Sequence, residues 1–472
     1  MPLRPLCVDL DGTLVKSDTL VDSLLVLART RPASIFASLR ALVRGKAAFK
    51  AYIAGHASLD VAYLPYNRKV LQFLQEERRQ GRDLYLATGA NQALAERVAA
   101  RLGLFTGVLG SSAEINLTGN RKLQSLRARL GSGAFDYIGN DTPDLPLLAG
   151  AAQAMVANPS LRLRLKLRAR HLHPVRVFEE RSSVPRSILN AVRPHQWTKN
   201  LLVFLPLLLS HALRTGRLRD ALSAFCCFSL AASSAYIVND LLDIEADRRH
   251  PKKRLRPFAG GDLSALTGLA LAAAFLILAF AGARFLPAAF SGWLLFYLFA
   301  TMTYSWYLKR IVLVDVIVLS GLYTLRLLAG GAATVTPISH WLAGFSIFLF
   351  FSLAIVKRFA ELENLSSSGA PPRNGRGYLV ADLNQLRSFG TASAFAAVMV
   401  FAIYISGTDV TVLYRHPDRL WLIVPLMILW LCRVWLLASR GKLNEDPLVF
   451  ALTDRMSLLI GAAVTAIALL AI

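Results

Sequence analysis

Two hydrophobic patterns divide the chain. Up to about residue 175, apolar runs are short and bounded by turn residues: Leu6–Leu10, Leu84–Ala87 and Phe135–Ile138. Such runs predict short buried strands. Between the first two runs, residues 18 to about 80 carry Leu20, Leu24, Leu25 and Leu27, then Ile35 to Ile53 with Arg40, Arg44, Lys46 and Lys50. That stretch reads as helical. After residue 193 the apolar stretches lengthen. A membrane-crossing helix needs about 20 such residues. Nine stretches qualify as expected spans, near 197–213, 219–243, 263–283, 286–306, 311–332, 339–360, 384–406, 419–438 and 453–472.

Composition sharpens this division. Hydrophobic residues make up 54% of the 472, which fits a polytopic membrane domain. The net charge of +23 would suggest nucleic acid in a soluble chain. Here the cations lie in loops between spans and in a basic linker at 176–192, so anionic lipid and phosphate substrates are expected and nucleic acid is not. The chain opens on a strand and an acidic motif rather than an apolar signal. The first domain is therefore expected in the cytoplasm and the rest in the cell inner membrane as a multi-pass protein. With that orientation, the inside loops carry most of the loop Lys and Arg, as the positive-inside rule asks. The four cysteines, Cys7, Cys226, Cys227 and Cys432, have no metal-ligand spacing.

Chemistry concentrates in two places. Asn239, Asp240, Asp243 and Asp247 follow an apolar stretch, and aspartates at i, i+3 and i+7 share one helix face. His250, Lys252, Lys253, Arg254 and Arg256 come next. Carboxylates hold Mg²⁺ beside substrate phosphates, and Lys and Arg neutralise the remaining phosphate charge. Asp315 and Arg326 lie within an expected span, where an ionisable residue is a site candidate by default. Lys199, Tyr304, Lys309 and Lys357 are further candidates to bind substrate on the same membrane side. The second place is Asp9-Leu10-Asp11-Gly12-Thr13. Two carboxylates at the end of a buried strand can hold Mg²⁺ beside a nucleophilic aspartate.

With Thr88, Lys122 and the run Gly139-Asn140-Asp141-Thr142-Pro143-Asp144, the first third resembles the haloacid dehalogenase (HAD) phosphatase superfamily. The resemblance implies an α/β HAD-like (Rossmannoid) domain over 1–175 with a helical cap at about 18–80. It implies Asp9 as nucleophile, Asp11 as general acid/base, and Thr88 and Lys122 as phosphate ligands. Asp141 or Asp144 would complete the Mg²⁺ site, because Asn140 stands where the family usually has aspartate.

Residues 193–472 resemble the UbiA prenyltransferase superfamily, through Asn239-Asp240-x-x-Asp243-x-x-x-Asp247. This implies an all-α domain of about nine transmembrane helices, with Asp240, Asp243 and Asp247 as metal ligands. Arg193-Pro194-x-Gln196-Trp197-x-Lys199-Asn200, His250-Pro251-x-Lys253-Arg254-x-Arg256-Pro257, the solitary Asp315 and Asp446-Pro447 look like the decaprenyl-phosphate phosphoribosyltransferase branch. That branch joins polyprenyl phosphate to the ribose of phosphoribosyl diphosphate. The product is a phosphate monoester, so the fused phosphatase would remove its 5-phosphate. The alternative is transfer of a prenyl diphosphate to an aromatic acceptor, with an accessory phosphatase. A transporter or lipid-binding scaffold is the third class, disfavoured by the cytoplasmic aspartates and the lack of an inverted repeat. Chain length of the lipid and oligomeric state are not encoded legibly.

Overall fold

A computed structural model describes residues 3–131, 134–211, 214–367, 376–411, 413–443 and 447–472. They fall into two compact units. One joins the chain up to Val192 with Tyr236–Ala272, and the other joins Arg193–Ala235 with Ala273–Ile472.

The first unit is built on a six-stranded parallel sheet in the order β3-β2-β1-β4-β5-β6. The strands are β1 (Leu6–Val8), β2 (Leu84–Asn91), β3 (Gly107–Ser111), β4 (Asp136–Gly139), β5 (Ala154–Ala157) and β6 (Arg176–Phe178). All three residues of β1 are buried, as expected of a central strand covered on both faces. Leu6 pairs with Leu84 on one side and with Asp136 on the other. The chain order runs outward in opposite directions from β1, which makes a topological switch point there. Ligands of such sheets bind beyond the carboxyl ends of the strands at that point. Asp9 stands at that end of β1. The expected cap appears as the helices Thr19–Thr30, Ala33–Val43 and Lys46–His56, inserted after the Asp9–Thr13 motif. The first begins where Asp18 accepts from the Leu20 and Val21 N–H groups. The basic stretch at 161–168 forms the helix Leu161–Ala169, and the sheet continues past residue 175 into β6.

The second unit is helical. Its core packs Phe350, Leu353, Ile355, Val356 and Phe359 of helix His340–Ser367 against Leu386, Ala394 and Val398 of Leu383–Ser406, and against Trp435. Gly390 allows this approach. A Cβ there would lie 2.1 Å from the Trp435 ring, and Ser352 Oγ donates to the Gly390 carbonyl at 2.7 Å. Small residues serve membrane helices this way, because close backbone approach is where packing attraction comes from.

Among the described residues, six helices are long and apolar enough to cross a membrane: Thr215–Leu242, Ala265–Ala283, Val314–Thr334, His340–Ser366, Val380–Ser406 and Pro417–Ser439. The other three of the nine expected spans fall short for identifiable reasons. Residues 197–213 open as a 3₁₀ segment, Pro194–Phe204, followed by the five-residue helix Leu205–Leu209. Helix Ala288–Trp306 is diluted by Ser, Thr, Tyr and Trp. The last, Arg455–Ala471, has 17 residues.

Substituting Gly390→Val should force Trp435 from its place and cost about 1–3 kcal/mol or more, the usual toll of overpacking. A lowered thermal midpoint of the detergent-solubilised protein is the expected result, and an unchanged midpoint would contradict this packing.

Candidate functional site

In the first unit, a cavity of about 400 Å³ opens beyond the ends of β1, β2 and β4. Asp9, Asp11, Lys122 and Asp144 all line it. Lys122 is buried and donates to Asp9 at 2.9 Å, to Asp144 at 3.1 Å and to the Tyr137 hydroxyl at 2.9 Å. Tyr137 in turn donates to Asp144 at 2.8 Å. The loop after β4 completes the arrangement, because the Asn140 N–H donates to the second Asp144 oxygen at 3.0 Å. Asp141 also lines the cavity. It is exposed, and its carboxylate accepts from Ser160 Oγ at 2.6 Å. Of the two acids that the spacing left open, Asp144 is the one brought to Asp9 and Lys122.

Gly12 has φ +74°, and a Cβ there would lie 2.0 Å from the Asn140 amide nitrogen. Asn140 thus packs on the backbone of the Asp9–Thr13 turn, and its oxygen accepts from Thr13 Oγ1 at 3.3 Å. Thr88 is fully buried, and its hydroxyl oxygen accepts from the Ala90 N–H at 3.0 Å. Its neighbours Gly89 and Ala90 form the cavity wall.

The charges follow from burial. Burial pushes Asp9 up to about 6, aided by Asp144 and opposed by Lys122. Burial, then Asp18 and Asp9, push Asp11 up to about 8, although Asp11 accepts the Thr19 N–H at 2.8 Å. A carboxyl that keeps its proton near neutrality can donate it as a general acid. Burial would raise Asp144, but Lys122 and the Asn140 N–H outweigh it and hold the carboxyl low. Burial pulls Lys122 down, and the two carboxylates more than reverse this.

Residues missed in the sequence also line this cavity, among them Lys16, Asp18, Lys50, Arg181 and Ser264. Lys50 comes from the cap and donates to the Gly89 carbonyl at 2.6 Å and to Asn116 at 2.8 Å. No periodicity ties a cap lysine to a strand 39 residues away.

The aspartate motif lies in the same unit. Helix Thr215–Leu242 ends, Asp243 caps, and the short helix Ile244–Arg249 follows. Asp240 and Asp247 are buried, and both meet one nitrogen, Arg256 Nη1, at 3.0 and 2.6 Å. Burial raises the Asp247 carboxyl despite Arg256. The interruption at Asp243 swings that carboxylate away from the pair, towards Arg29 at 3.3 Å. Asn239 is half-buried, whereas Lys253 and Arg254 are exposed. His250 Nδ1 accepts the N–H groups of Lys252 and Lys253 at 3.2 Å, which folds the basic run back on itself.

In the second unit, Asp315 is fully buried. Arg358 Nε donates to it at 2.6 Å and the Tyr378 hydroxyl donates to its other oxygen. Tyr304 accepts from Arg358 at 3.3 Å and from Arg376 at 3.0 Å. Asp315 and Arg326, eleven positions apart, do not pair. Arg326 donates to Asn200 at 2.9 Å and to the Leu322 carbonyl at 2.5 Å, and it lies over the Tyr297 ring. Trp197 donates to Ser233 at 2.9 Å and Asn200 to Ser229 at 3.0 Å, so the Arg193–Asn200 motif is fastened to helix Thr215–Leu242. Lys199 is half-buried 5.9 Å from the Tyr323 ring centroid, and Lys309 and Lys357 are half-buried. Asp446 lies outside the described residues.

No three His, Cys, Asp or Glu side chains converge on a metal position among the described residues. Two carboxylates converge at each place, on Arg256 Nη1 and on Lys122 Nζ. Mg²⁺ keeps several waters and is commonly held by one or two carboxylates with substrate phosphates. The donor sets therefore fit Mg²⁺.

Comparison with known proteins agrees with both halves. The haloacid dehalogenase-like hydrolase model matches residues 6–149, and the UbiA prenyltransferase family model matches residues 201–459. An uncharacterized protein y4nM of Sinorhizobium fredii is 36% identical over 98% of this chain and 89% of its own. A decaprenyl-phosphate phosphoribosyltransferase of Mycobacterium tuberculosis is 35% identical over 49% of this chain and 78% of its own. A UbiA homologue from Archaeoglobus fulgidus bound to DMAPP and Mg²⁺ aligns at 20% identity with a TM-score of 0.46, over 59% of this chain and 98% of that one. The chain belongs to the UbiA prenyltransferase family, with a haloacid dehalogenase-like hydrolase domain in its first third.

Proposed function

We propose that this membrane protein transfers phosphoribose from phosphoribosyl diphosphate to a polyprenyl phosphate, and that its hydrolase domain then removes the 5-phosphate. The observation that carries the first step is the convergence of Asp240 and Asp247 on a single cation, beside the basic run to Pro257. The likeness to a decaprenyl-phosphate phosphoribosyltransferase supports phosphoribosyl diphosphate as the donor.

In the transfer, a lipid phosphate oxygen bonds to C1 of the ribose as the bond from C1 to diphosphate breaks. The electron pair leaves with diphosphate. Mg²⁺ bound with the diphosphate would neutralise that leaving group. Asp240 and Asp247 would hold it, while Asp243 is turned to Arg29. Arg256, Lys253 and Arg254 supply charge for the phosphates. An apolar cavity of about 410 Å³, lined by Trp293, Phe296, Phe299, Leu322 and Leu325, suits a prenyl chain. Lys199, Asn239, Tyr304, Lys309 and Lys357 stand as binding candidates. We assign Arg326 to helix packing, because it is buried and three of its five N–H donors go to Asn200, Leu322 and Tyr297. Asp315 orders Arg358 and, through it, Tyr304.

In the hydrolysis, Asp9 attacks phosphorus and the bond from phosphorus to the sugar oxygen breaks. Asp11 gives that oxygen its proton. Water then gives a proton to Asp11 and attacks the aspartyl phosphate, the bond from phosphorus to the Asp9 oxygen breaks, and inorganic phosphate departs. Lys122 holds Asp9 and Asp144 in place, and Asp144 with Asp9 would hold Mg²⁺ there. Sharing one chain raises the effective concentration of the second site for the first product.

Membranes containing the wild-type chain should move label from phosphoribosyl diphosphate to a polyprenyl phosphate, and Asp240→Asn or chelation of Mg²⁺ should abolish this. Turnover of 4-hydroxybenzoate with a prenyl diphosphate, and none with phosphoribosyl diphosphate, would refute the donor. For the second site, Asp144→Asn should slow phosphate release from ribose 5-phosphate at least about tenfold more than Asp141→Asn, as loss of a metal partner does. Equal effects would remove Asp144 from that role.

A further inference from the structure

The loop that carries the aspartate motif is held by the hydrolase cap. Asp22 and Arg29 lie seven positions apart on helix Thr19–Thr30, two turns along one face. Asp22 forms a buried ion pair with Arg248 at 2.8 Å. Ser17 Oγ donates to Asp22 at 2.6 Å and lies 3.1 Å from Arg248 Nη2. Arg248 Nε also donates to the Ala259 carbonyl at 3.2 Å, which ties the far side of the loop into the same knot. Arg29 Nη2 meets Asp243 at 3.3 Å. One face of the cap helix thereby grips both ends of the short helix Ile244–Arg249. Weaker ties flank the grip: Arg249 with Asp60 at 3.2 Å and Lys16 with Asp262 at 3.6 Å. Gly261, at φ +75°, lies so close that a Cβ would sit 2.7 Å from Lys16 Cβ.

This grip has a consequence for the acids. Asp240 belongs to the long helix and Asp247 to the short one, so their convergence depends on the bend at Asp243. The Asp243 carboxylate and Arg248, next to Asp247, are the two points that the cap holds. We infer that the cap helix is a positioning element of the transferase, with Arg29 as the positioning residue for Asp243 and Asp22 for the Asp247 side. The transfer step then requires the hydrolase domain as a scaffold, apart from any hydrolysis. This rests on the reading of residues 240–247 as the cation site of the transfer.

The test uses the full-length chain, polyprenyl phosphate and phosphoribosyl diphosphate with Mg²⁺. Arg29→Ala should lower kcat for transfer about 10–100-fold, the usual cost of losing an outer group that supports a metal site. KM for the lipid should change much less. Arg29→Lys keeps the cation and should recover most of the rate, and the thermal midpoints should match wild type. A loss of packing alone would move the midpoint and would not be rescued by lysine. Wild-type kcat in Arg29→Ala, alongside abolished transfer in Asp240→Asn, would overturn the positioning role. Wild-type transfer in Asp240→Asn would instead remove the cation site itself, and this inference with it.

Discussion

A buried carboxylate must meet a cation or keep its proton, because removing one member of a buried pair costs about 3–5 kcal/mol. This constraint organises the chain wherever it has chemistry. Lys122 stands between Asp9 and Asp144, Arg256 between Asp240 and Asp247, and Arg358 on Asp315. Asp11 takes the other course and is pushed up to about 8, chiefly by burial. Where two acids share one protein cation, they already point at a common position. The same convergence that the protein satisfies with Lys or Arg is what a divalent ion with its phosphate substrate can use.

Much of the fold was legible because it rests on local patterns. Short apolar runs marked β1, β2 and β4, and motif order placed Asp9, Asp11 and Lys122 at one end of them. The cap followed from helical spacing between two strands. Span counting was weaker, since hydrophobic length alone does not reveal a 3₁₀ segment after Pro194 or the dilution of Ala288–Trp306 by hydroxyl and aromatic residues. Spacing could not choose between Asp141 and Asp144. The choice depends on Tyr137 and the Asn140 N–H, which act only once β4 and its loop are folded.

Tertiary partners were the least legible. Asp315 and Arg326 were expected in one span, yet each took its partner from another segment: Arg358 in one case, Asn200 in the other. The i, i+3, i+7 rule likewise put three aspartates together, whereas the bend at Asp243 leaves two together and gives the third to Arg29. Pairs such as Arg248 with Ser17, separated by 231 residues, carry no local signature. They also blur the boundary that motifs suggested, because the segment Tyr236–Ala272 lies in the family's transferase region and packs in the same unit as the hydrolase fold.

Two candidate sites on one chain make sense if the second acts on what the first releases. Mass spectrometry of the lipid formed by the purified protein from polyprenyl phosphate and phosphoribosyl diphosphate tests that relation most directly. The account predicts polyprenyl-phosphoryl ribose from the wild type and, from Asp9→Asn, the same lipid still bearing its 5-phosphate. The same phosphorylated lipid from both proteins would contradict it.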